Sequence, residues 1–189
     1  MKVKLTRQRA IFFASILIAI ILVALLIQQI KLPIYSLNYY GTKISFRINL
    51  RDAKDVAVYP NEKAVRDEIM NQFIENITIF YKPNESINSH YAVEVFEIVN
   101  KLAIAYKLRF GYIPNFNVVN VTSYENLTAT SNNPKIALIH PIYSNVTLVR
   151  LEDNVIYIQG KNATSEKEQL RNFDLAVVKF LMVSLGIKI

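Results

Sequence analysis

Residues 11–30 read IFFASILIAIILVALLIQQI, a run without a charge that is followed by Lys31 and Pro33. At about 1.5 Å per residue, a helix of this length spans roughly 30 Å, the hydrocarbon thickness of a bilayer. The run is therefore predicted to be one transmembrane helix, which Pro33 ends. It divides the chain into a basic leader at 1–10, a transmembrane anchor at 11–30, a connector at 31–42 and a folded domain at 43–189.

The residues beside the apolar run predict its orientation. The leader contains four basic residues and no acidic residue, and positive charge beside a crossing segment favours the cytoplasmic side. The amino terminus is therefore expected in the cytoplasm and the folded domain outside the cell membrane. The run is longer than the apolar core of a cleaved secretory signal and ends in Gln-Gln-Ile-Lys rather than in small residues. We therefore expect an uncleaved signal anchor.

The composition argues against several classes of protein. The leader accounts for more than half of the net charge of +7, and the remaining chain has no cluster of Lys and Arg, so nucleic-acid binding is not expected. The chain has no cysteine, which excludes disulfides and thiolate metal sites and suits a prokaryotic envelope. Roughly 155 residues follow the anchor, enough for one domain with a hydrophobic core.

Alternating apolar residues predict strands in the folded domain. Ile44, Phe46, Ile48 and Leu50 alternate with polar residues and predict a strand over 43–51. Further strands are predicted at 56–59, 76–81, 116–121, 136–139, 145–151 and 155–159. The run at 136–139 lies between two prolines and is apolar throughout, which is typical of a central strand covered on both faces. Residues 152–154 are predicted to form the turn of a hairpin between the last two strands.

Three helices are predicted between these strands. The first begins after Asn61 as N-cap, the second covers 90–109 between Ser89 as cap and Gly111, and the third runs from the capping box at 165–168 to about Leu185 before Gly186. The whole domain is therefore predicted to be an α/β or α+β sandwich around a mixed sheet with three helices. We expect one N-terminal transmembrane helix to precede it.

The second helix has an unusual distribution of polar residues. Glu94, Glu97 and Lys101 form one narrow stripe, and Glu97 and Lys101 are spaced for an i,i+4 ion pair. The other faces are apolar, which predicts that most of the helix is covered.

The pattern N-x-[ST], an acceptor for N-glycosylation, is the most frequent motif in the folded domain. It occurs at six asparagines, where roughly two are expected by chance: Asn76, Asn84, Asn120, Asn126, Asn145 and Asn162. All six lie on the side of the membrane that we expect to be outside. The sequence therefore predicts a glycoprotein whose sugars shield part of the surface.

Two ionisable residues are candidates for a site. His140 follows the apolar strand at 136–139, and the ends of such strands hold ligands in many α/β proteins; the alternative is a histidine that satisfies a backbone group there. Asp174 lies on the apolar stripe of the last helix and is therefore predicted to be a buried ionisable group with a basic partner. Candidate partners are Arg47, Arg51 and Arg150.

Motifs for catalysis and for cofactors are absent from the sequence. The chain contains no nucleophile elbow, P-loop, dinucleotide fingerprint, zinc-protease motif or EF-hand loop. It has two histidines, His90 and His140, and no carboxylate motif accompanies either. We therefore expect no cofactor, no metal site and no catalytic residues. The enzyme alternative is a membrane-anchored hydrolase that uses His140.

The leader resembles that of a known family. Arg7, Gln8, Arg9 and Ala10 are followed at once by the apolar helix, and this arrangement is similar to the leader of archaeal type IV pilin-like precursors. The resemblance covers residues 1–30. It implies cleavage after Ala10 and a mature helix that packs into the core of a filament.

These observations predict a single-pass membrane protein with a cytoplasmic amino terminus and an external α/β domain that acts by binding. We expect it to be a structural component of the cell envelope or an accessory subunit of a membrane complex. Its expected partners are the lipid bilayer and other envelope or membrane-complex proteins. The alternative is a pilin-like filament subunit.

Overall fold

The computed structural model describes residues 35–125, 127–130 and 132–188. The elements in these ranges are β1 (Tyr35–Tyr39), β2 (Thr42–Phe46), α1 (Leu50–Ala53), β3 (Ala57–Tyr59), α2 (Glu62–Ile69), β4 (Asn76–Tyr81), α3 (Asn88–Phe110), β5 (Asn115–Asn120), β6 (Lys135–Ile139), a 3₁₀ turn (Pro141–Tyr143), β7 (Leu148–Glu152), β8 (Val155–Gln159) and α4 (Glu166–Leu185). The basic leader, the apolar run at 11–30 and the processing point after Ala10 lie outside the described residues. No helix in the described ranges is long and apolar enough to cross a bilayer.

Six strands form one mixed sheet in the order β3-β7-β8-β6-β4-β5. The strands β8, β6, β4 and β5 are parallel, whereas β7 and β3 run in the opposite direction. The predicted mixed α/β architecture is confirmed, with four α-helices in the described chain instead of three. The strand β6 lies inside the sheet, and Ile136, Ala137 and Leu138 are fully buried, as its continuous apolar run predicts.

The three longer helices pack together on the sheet. The helix α4 contacts β7 and β8 and lies beside both α2 and α3. The ring of Tyr91 in α3 is 5.0 Å from the ring of Tyr81 in β4. Every second residue of the sheet joins the core beneath the helices: Ile77, Ile79, Ile136, Leu138, Val149, Ile156 and Ile158. Because each such side chain contributes about 1.5–3 kcal/mol on burial, this face of the sheet is a main source of stability.

The strands β1 and β2 form a separate antiparallel hairpin that packs on α3 and α4. The ammonium of Lys101 in α3 lies 5.1 Å from the ring centroid of Phe46, and Arg47 reaches both helices. The strand predicted over 43–51 ends at Phe46, because Leu50–Ala53 forms α1 with Asn49 as its cap. The strand β1 falls in the segment that we expected to be a connector.

The helix ends follow the sequence with one exception. The side chain of Asn61 accepts the N–H of Ala64 at 2.9 Å, and that of Ser165 accepts the N–H of Glu168 at 3.3 Å. Gly111 and Gly186 end their helices in the left-handed conformation. The prediction that Ser89 caps α3 is wrong, because the helix begins at Asn88 and Ile87 occupies the cap position.

The turn between β7 and β8 is the predicted hairpin. Asp153 and Asn154 have φ values of 50° and 61°. Two-residue hairpin turns require this left-handed geometry, and Asp and Asn tolerate it. Glu152 then pairs with Val155.

Candidate functional site

His140 lies directly after β6, at the edge of the sheet where the parallel strands end, which we call the carboxyl edge. Its side chain is fully buried. Its Nδ1 atom accepts the backbone N–H of Ile142 at 3.3 Å and so caps the 3₁₀ turn. Burial and, second, the charge of His90 lower the pKa of His140 to about 4. The imidazole is therefore neutral at pH 7.

His90, at the start of α3, stacks on His140. The ring centroids are 5.3 Å apart, and Nδ1 of His90 is 3.1 Å from Nε2 of His140. Because Nδ1 of His140 already accepts a hydrogen bond, the neutral ring carries its proton on Nε2 and donates it to His90. His90 Nε2 in turn lies 3.3 Å from Oε1 of Glu166, whose side chain is 74% exposed. A hydrogen bond between the two rings and a close approach of His90 to Glu166 thus connect the interior with the surface.

Two tyrosine hydroxyls extend this histidine cluster. The N–H of His140 donates to the hydroxyl of Tyr91 at 3.3 Å, and that hydroxyl is 3.4 Å from the hydroxyl of Tyr124. Tyr124 also accepts the N–H of Lys82 at 2.9 Å and donates to the carbonyl of Leu138. Burial raises the pKa of both phenols, so both remain protonated. The cluster joins α3, β4, β6 and the segment after β5.

The contacts of His140 lie within the fold. Four surface cavities of the described chain are lined by residues that include neither histidine, and a fully buried ring offers a substrate no access. Among the described residues, no three His, Asp or Glu side chains are grouped as metal ligands. His140 instead satisfies backbone groups at the end of its strand, which is the alternative considered from the sequence.

Asp174 lies beside Arg47, one of its three candidate partners. The guanidinium of Arg47 donates to the carboxylate of Asp174 and, at 2.6 Å, to Oε1 of Glu94. The side chain of Glu94 is 2% exposed and that of Asp174 is 18% exposed. Burial, followed by the hydrogen bond to Asp174 and its charge, raises the pKa of Glu94 well above its usual range. One cation thus serves two carboxyl groups, and burial together with the neighbouring carboxylate disfavours the ionised form of Glu94.

The polar stripe of α3 faces inwards. Glu94 and Lys101 are buried beneath the hairpin β1–β2, and Lys101 pairs with Glu97 as their spacing predicts. Because the hairpin covers the polar side, the apolar side of α3 is partly exposed. The prediction that most of this helix is covered is wrong for the residues around Phe96, which is 63% exposed.

Exposed apolar residues of α3, of the turn after it and of β5 form a surface that we call the α3–β5 face. It consists of Val93, Phe96, Leu108, Ile113 and Val118. Ile113 is 55% exposed and Val118 is 48% exposed. Large side chains that cluster in solvent in this way mark contact surfaces more often than isolated ones do. The sequence contained part of this signal, since the exposed side of α3 is apolar around Phe96 and includes one charged groove residue, Lys107. The position of the hairpin decides which side is covered.

Three residues of the α3–β5 face line two cavities: Leu108 and Ile113 line one, and Val118 lines the other. A groove of about 420 Å³ lies at the carboxyl end of α3, and Lys107 is its one charged lining residue beside Thr42, Asn100, Ala103, Ile104, Leu108 and Ile113. A smaller cavity of about 180 Å³ lies between α3 and β5, with Ala92, Val95 and Val118 in its lining. Concave apolar surfaces of this kind suit an apolar anchor from a partner.

Five of the six glycosylation motifs lie in the described residues, and Asn126 lies outside them. Four of the five lie at the carboxyl edge: Asn120 is the last residue of β5, and Asn84, Asn145 and Asn162 follow strands. The N–H of Asn162 donates to the carbonyl of Ser144 at 2.8 Å, which brings the last two motifs together. Asn76 begins β4 at the opposite edge. All five asparagines are exposed or half-exposed.

The structure places the two predicted site residues in separate clusters: His140 at the carboxyl edge, and Asp174 beneath the hairpin. No protein-family profile matches the chain, and neither a curated protein nor a solved structure is significantly similar to it.

Proposed function

We propose that the chain is a single-pass membrane protein whose external domain binds a neighbouring protein of the cell envelope through the α3–β5 face. The observation that carries this proposal is the exposure of Phe96, Ile113 and Val118 beside an apolar groove. Covering these side chains removes apolar surface from water, which drives association. The chain would then act as a structural component of the envelope or as an accessory subunit of a membrane complex.

The buried polar groups support binding over catalysis. His140 is engaged by Ile142 and His90, and Asp174 is engaged by Arg47. These groups therefore stabilise the fold, whereas a catalytic group has to reach a substrate. The α3–β5 face, in contrast, exposes apolar side chains to water, where a partner can reach them.

The glycosylation motifs support an external location for the domain. An N-linked sugar needs an exposed asparagine in a secreted domain. Asn120, Asn145 and Asn162 are exposed, whereas Asn76 and Asn84 are partly buried. Sugars at the carboxyl edge would leave the groove beside Leu108 open, because α3 runs from that edge to the opposite one. The uncharged run at 11–30 and the basic leader support a cytoplasmic amino terminus.

The test of binding compares two phenylalanines with equal exposure. Phe96 and Phe73 are both 63% exposed, and Phe96 alone belongs to the α3–β5 face. The tagged full chain is purified from its native membrane in mild detergent, and the accompanying proteins, untagged copies included, are identified by mass spectrometry. We expect Phe96→Asp to lose a partner that the wild type and Phe73→Asp retain. A partner that stays bound to Phe96→Asp, with the circular dichroism unchanged, would refute the proposal.

The location is tested separately on intact cells. A protease added from outside should digest the domain, and removal of N-linked sugars should lower its mass. Resistance of the domain in intact cells, together with unmodified asparagines, would refute the external location. The intact mass of the native chain also decides the filament alternative, because processing after Ala10 leaves a chain that starts at Ile11.

A further inference from the structure

The two outer strands of the six-stranded sheet are protected to different degrees. The strand β3 has three residues, with Asp55 close before it and Pro60 directly after it. Short length, charge and proline all hinder pairing with another chain. The strand β5 has six residues, and residues 113–124 contain no charge. In the described chain β5 pairs with β4 alone, so its outer side is available to another strand.

The side chains of β5 are exposed on both faces of the sheet. Val118 pairs with Ile79 and lies on the helix side, and Val119 pairs with Phe80 on the other side. They are 48% and 39% exposed. A strand added to β5 would cover both valines at once and would also satisfy the backbone of the edge.

A two-fold axis perpendicular to the sheet lets β5 pair with itself. Such an axis makes the two copies of β5 antiparallel and keeps the helices of both copies on one side. Side chains that face each other in an antiparallel pair point to the same side of the sheet. The axis therefore lies midway between one residue of β5 and the same residue of the second copy. Either Asn117 faces its own copy and Phe116 faces Val118, or Val118 faces its own copy and Asn117 faces Val119.

Charge favours this self-contact. In a two-fold contact each charged residue near the axis meets its own kind, and opposed like charges destabilise a strand pair. The absence of charge from 113–124 removes that repulsion in both registers. In each copy α3 lies beside β5, where Ala92 and Val95 line a cavity with Val118, so the same axis places both α3 helices on one side of the joined sheet. The strand contact is thus extended by apolar side chains.

We infer that the occupant of the α3–β5 face is a second copy of this chain, joined β5 to β5 in one continuous sheet. This inference rests on the proposed function, because it names the partner of the same face, and it expects Asn120, the last residue of β5, to carry no sugar in the dimer. The neutral, unprotected edge at β5 and the apolar side chains of α3 beside it fit one self-complementary contact. The protected edge at β3 does not pair, so the joined sheet ends there in each copy.

Single cysteines test the contact directly. The chain has no cysteine, so a disulfide in a single-cysteine variant joins two copies. Opposed residues of an antiparallel pair have Cα atoms about 4.5–5.5 Å apart, within the range for a disulfide. Two variants of the full chain, Asn117→Cys and Val118→Cys, are oxidised in mild detergent. The control is Tyr59→Cys on β3, because the side chain of Tyr59 is 55% exposed. We expect a covalent dimer from at least one β5 variant and none from the control.

The mass of the detergent-solubilised chain gives a second measurement. We expect the wild type to sediment as a dimer and Val118→Asp to weaken the dimer at least tenfold, because two carboxylates then meet near the axis, while Tyr59→Asp remains dimeric. A monomeric wild type without a disulfide in either β5 variant would overturn the inference. If Val118→Cys is then protected from a thiol reagent, another partner covers the edge, and this outcome also overturns it.

The failure of this inference is distinguishable from failure of the proposed function. If the wild type is a monomer and Phe96→Asp loses an envelope protein that the wild type binds, this inference fails and the proposed function stands. If Phe96→Asp instead retains every partner of the wild type, both the proposed function and this inference are refuted.

Discussion

Glu94 differs most from what its place in the sequence suggests. Glutamates spaced along one side of a helix are usually in water, yet the side chain of Glu94 is 2% exposed. The spacing of Glu97 and Lys101 was sufficient to predict their ion pair, because that contact is local. The burial of Glu94 depends on Arg47, which is distant in sequence and comes into place only when the hairpin packs on α3. Local periodicity contains no information about such a contact.

The raised pKa of Glu94 predicts a pH dependence of stability. The folded protein holds this proton more tightly than the unfolded chain does. The contribution of Glu94 to stability is therefore complete below the unfolded pKa and decreases as the pH rises through the raised folded pKa. Glu94→Gln remains neutral at every pH. We expect the free energy of unfolding of the variant to fall less than that of the wild type as the pH rises above the ordinary glutamate value of 4.5.

Denaturant titrations at several pH values measure this difference. Asp67→Asn is the control, because the side chain of Asp67 is 55% exposed. The control should keep the slope of the wild type. Equal slopes for Glu94→Gln and the wild type would show that Glu94 is ionised in the folded protein.

His140 predicts the opposite dependence at lower pH. Its folded pKa of about 4 lies below the ordinary value of 6.5, so the unfolded chain takes up a proton first as the pH falls. The stability that the neutral ring provides is complete above the ordinary value and is lost towards pH 4. His140→Asn leaves an oxygen that accepts the N–H of Ile142 and does not titrate. Over this window we expect the wild type to lose about 3 kcal/mol more than the variant.

Urea unfolding monitored by circular dichroism from neutral to acidic pH tests this prediction. His90→Asn serves as comparison, because it removes the second cause of the lowered pKa and leaves the larger one, burial. It should therefore retain most of the pH dependence. A slope in His140→Asn that matches the wild type would contradict a neutral, buried His140.

Among the elements, those with a single strong pattern were predicted best. The strand at 76–81 has the predicted bounds, and the helices that begin after Asn61 and Ser165 start where their caps indicate. Alternation and capping are local properties, so the sequence expresses them directly. The strand β1 was missed because its pattern is short and follows a proline-terminated apolar run. The helix α1 was missed because Ile48 and Leu50 continue the alternation of β2 by coincidence.

The junction between β8 and α4 predicts a severe effect at Gly160. A Cβ atom there would lie 2.8 Å from Cα of Phe173 and 2.9 Å from Cγ of Pro141. The backbone of α4 approaches the end of β8 too closely for any side chain. Gly160→Ala should therefore displace α4 and lower the free energy of unfolding by about 1–3 kcal/mol or more.

Gly111→Ala is the matched comparison, because open space surrounds this position and only its positive φ opposes the change. It should cost about 1 kcal/mol. Thermal unfolding of both variants measures the difference. A Gly160→Ala protein as stable as the wild type would contradict the close approach of α4 and β8.

At the scale of the whole molecule, the hairpin determines where the folded unit begins. A compact unit starts at Tyr35, whereas the sequence placed the domain start at residue 43. A chain that starts at residue 43 lacks β1 and with it the buried Tyr39. We expect it to be less stable than a chain that starts at residue 35 by at least about 3 kcal/mol.

Chemical denaturation of the two shortened chains measures this difference, with far-ultraviolet circular dichroism as the signal. Both chains contain the whole six-stranded sheet, so their difference reports the hairpin alone. Equal midpoints would show that β1 contributes nothing to the folded unit.

The hairpin also gives the folded unit a mechanical property. Tyr35 pairs with Phe46 at the open end of β1–β2, so a pulling force on the chain at residue 35 acts at the same end as the link to the rest of the fold. The hydrogen bonds between β1 and β2 would then break one pair after another instead of all at once. Under tension the hairpin would yield first and uncover Glu94 and Lys101, while the six-stranded sheet behind them stays intact.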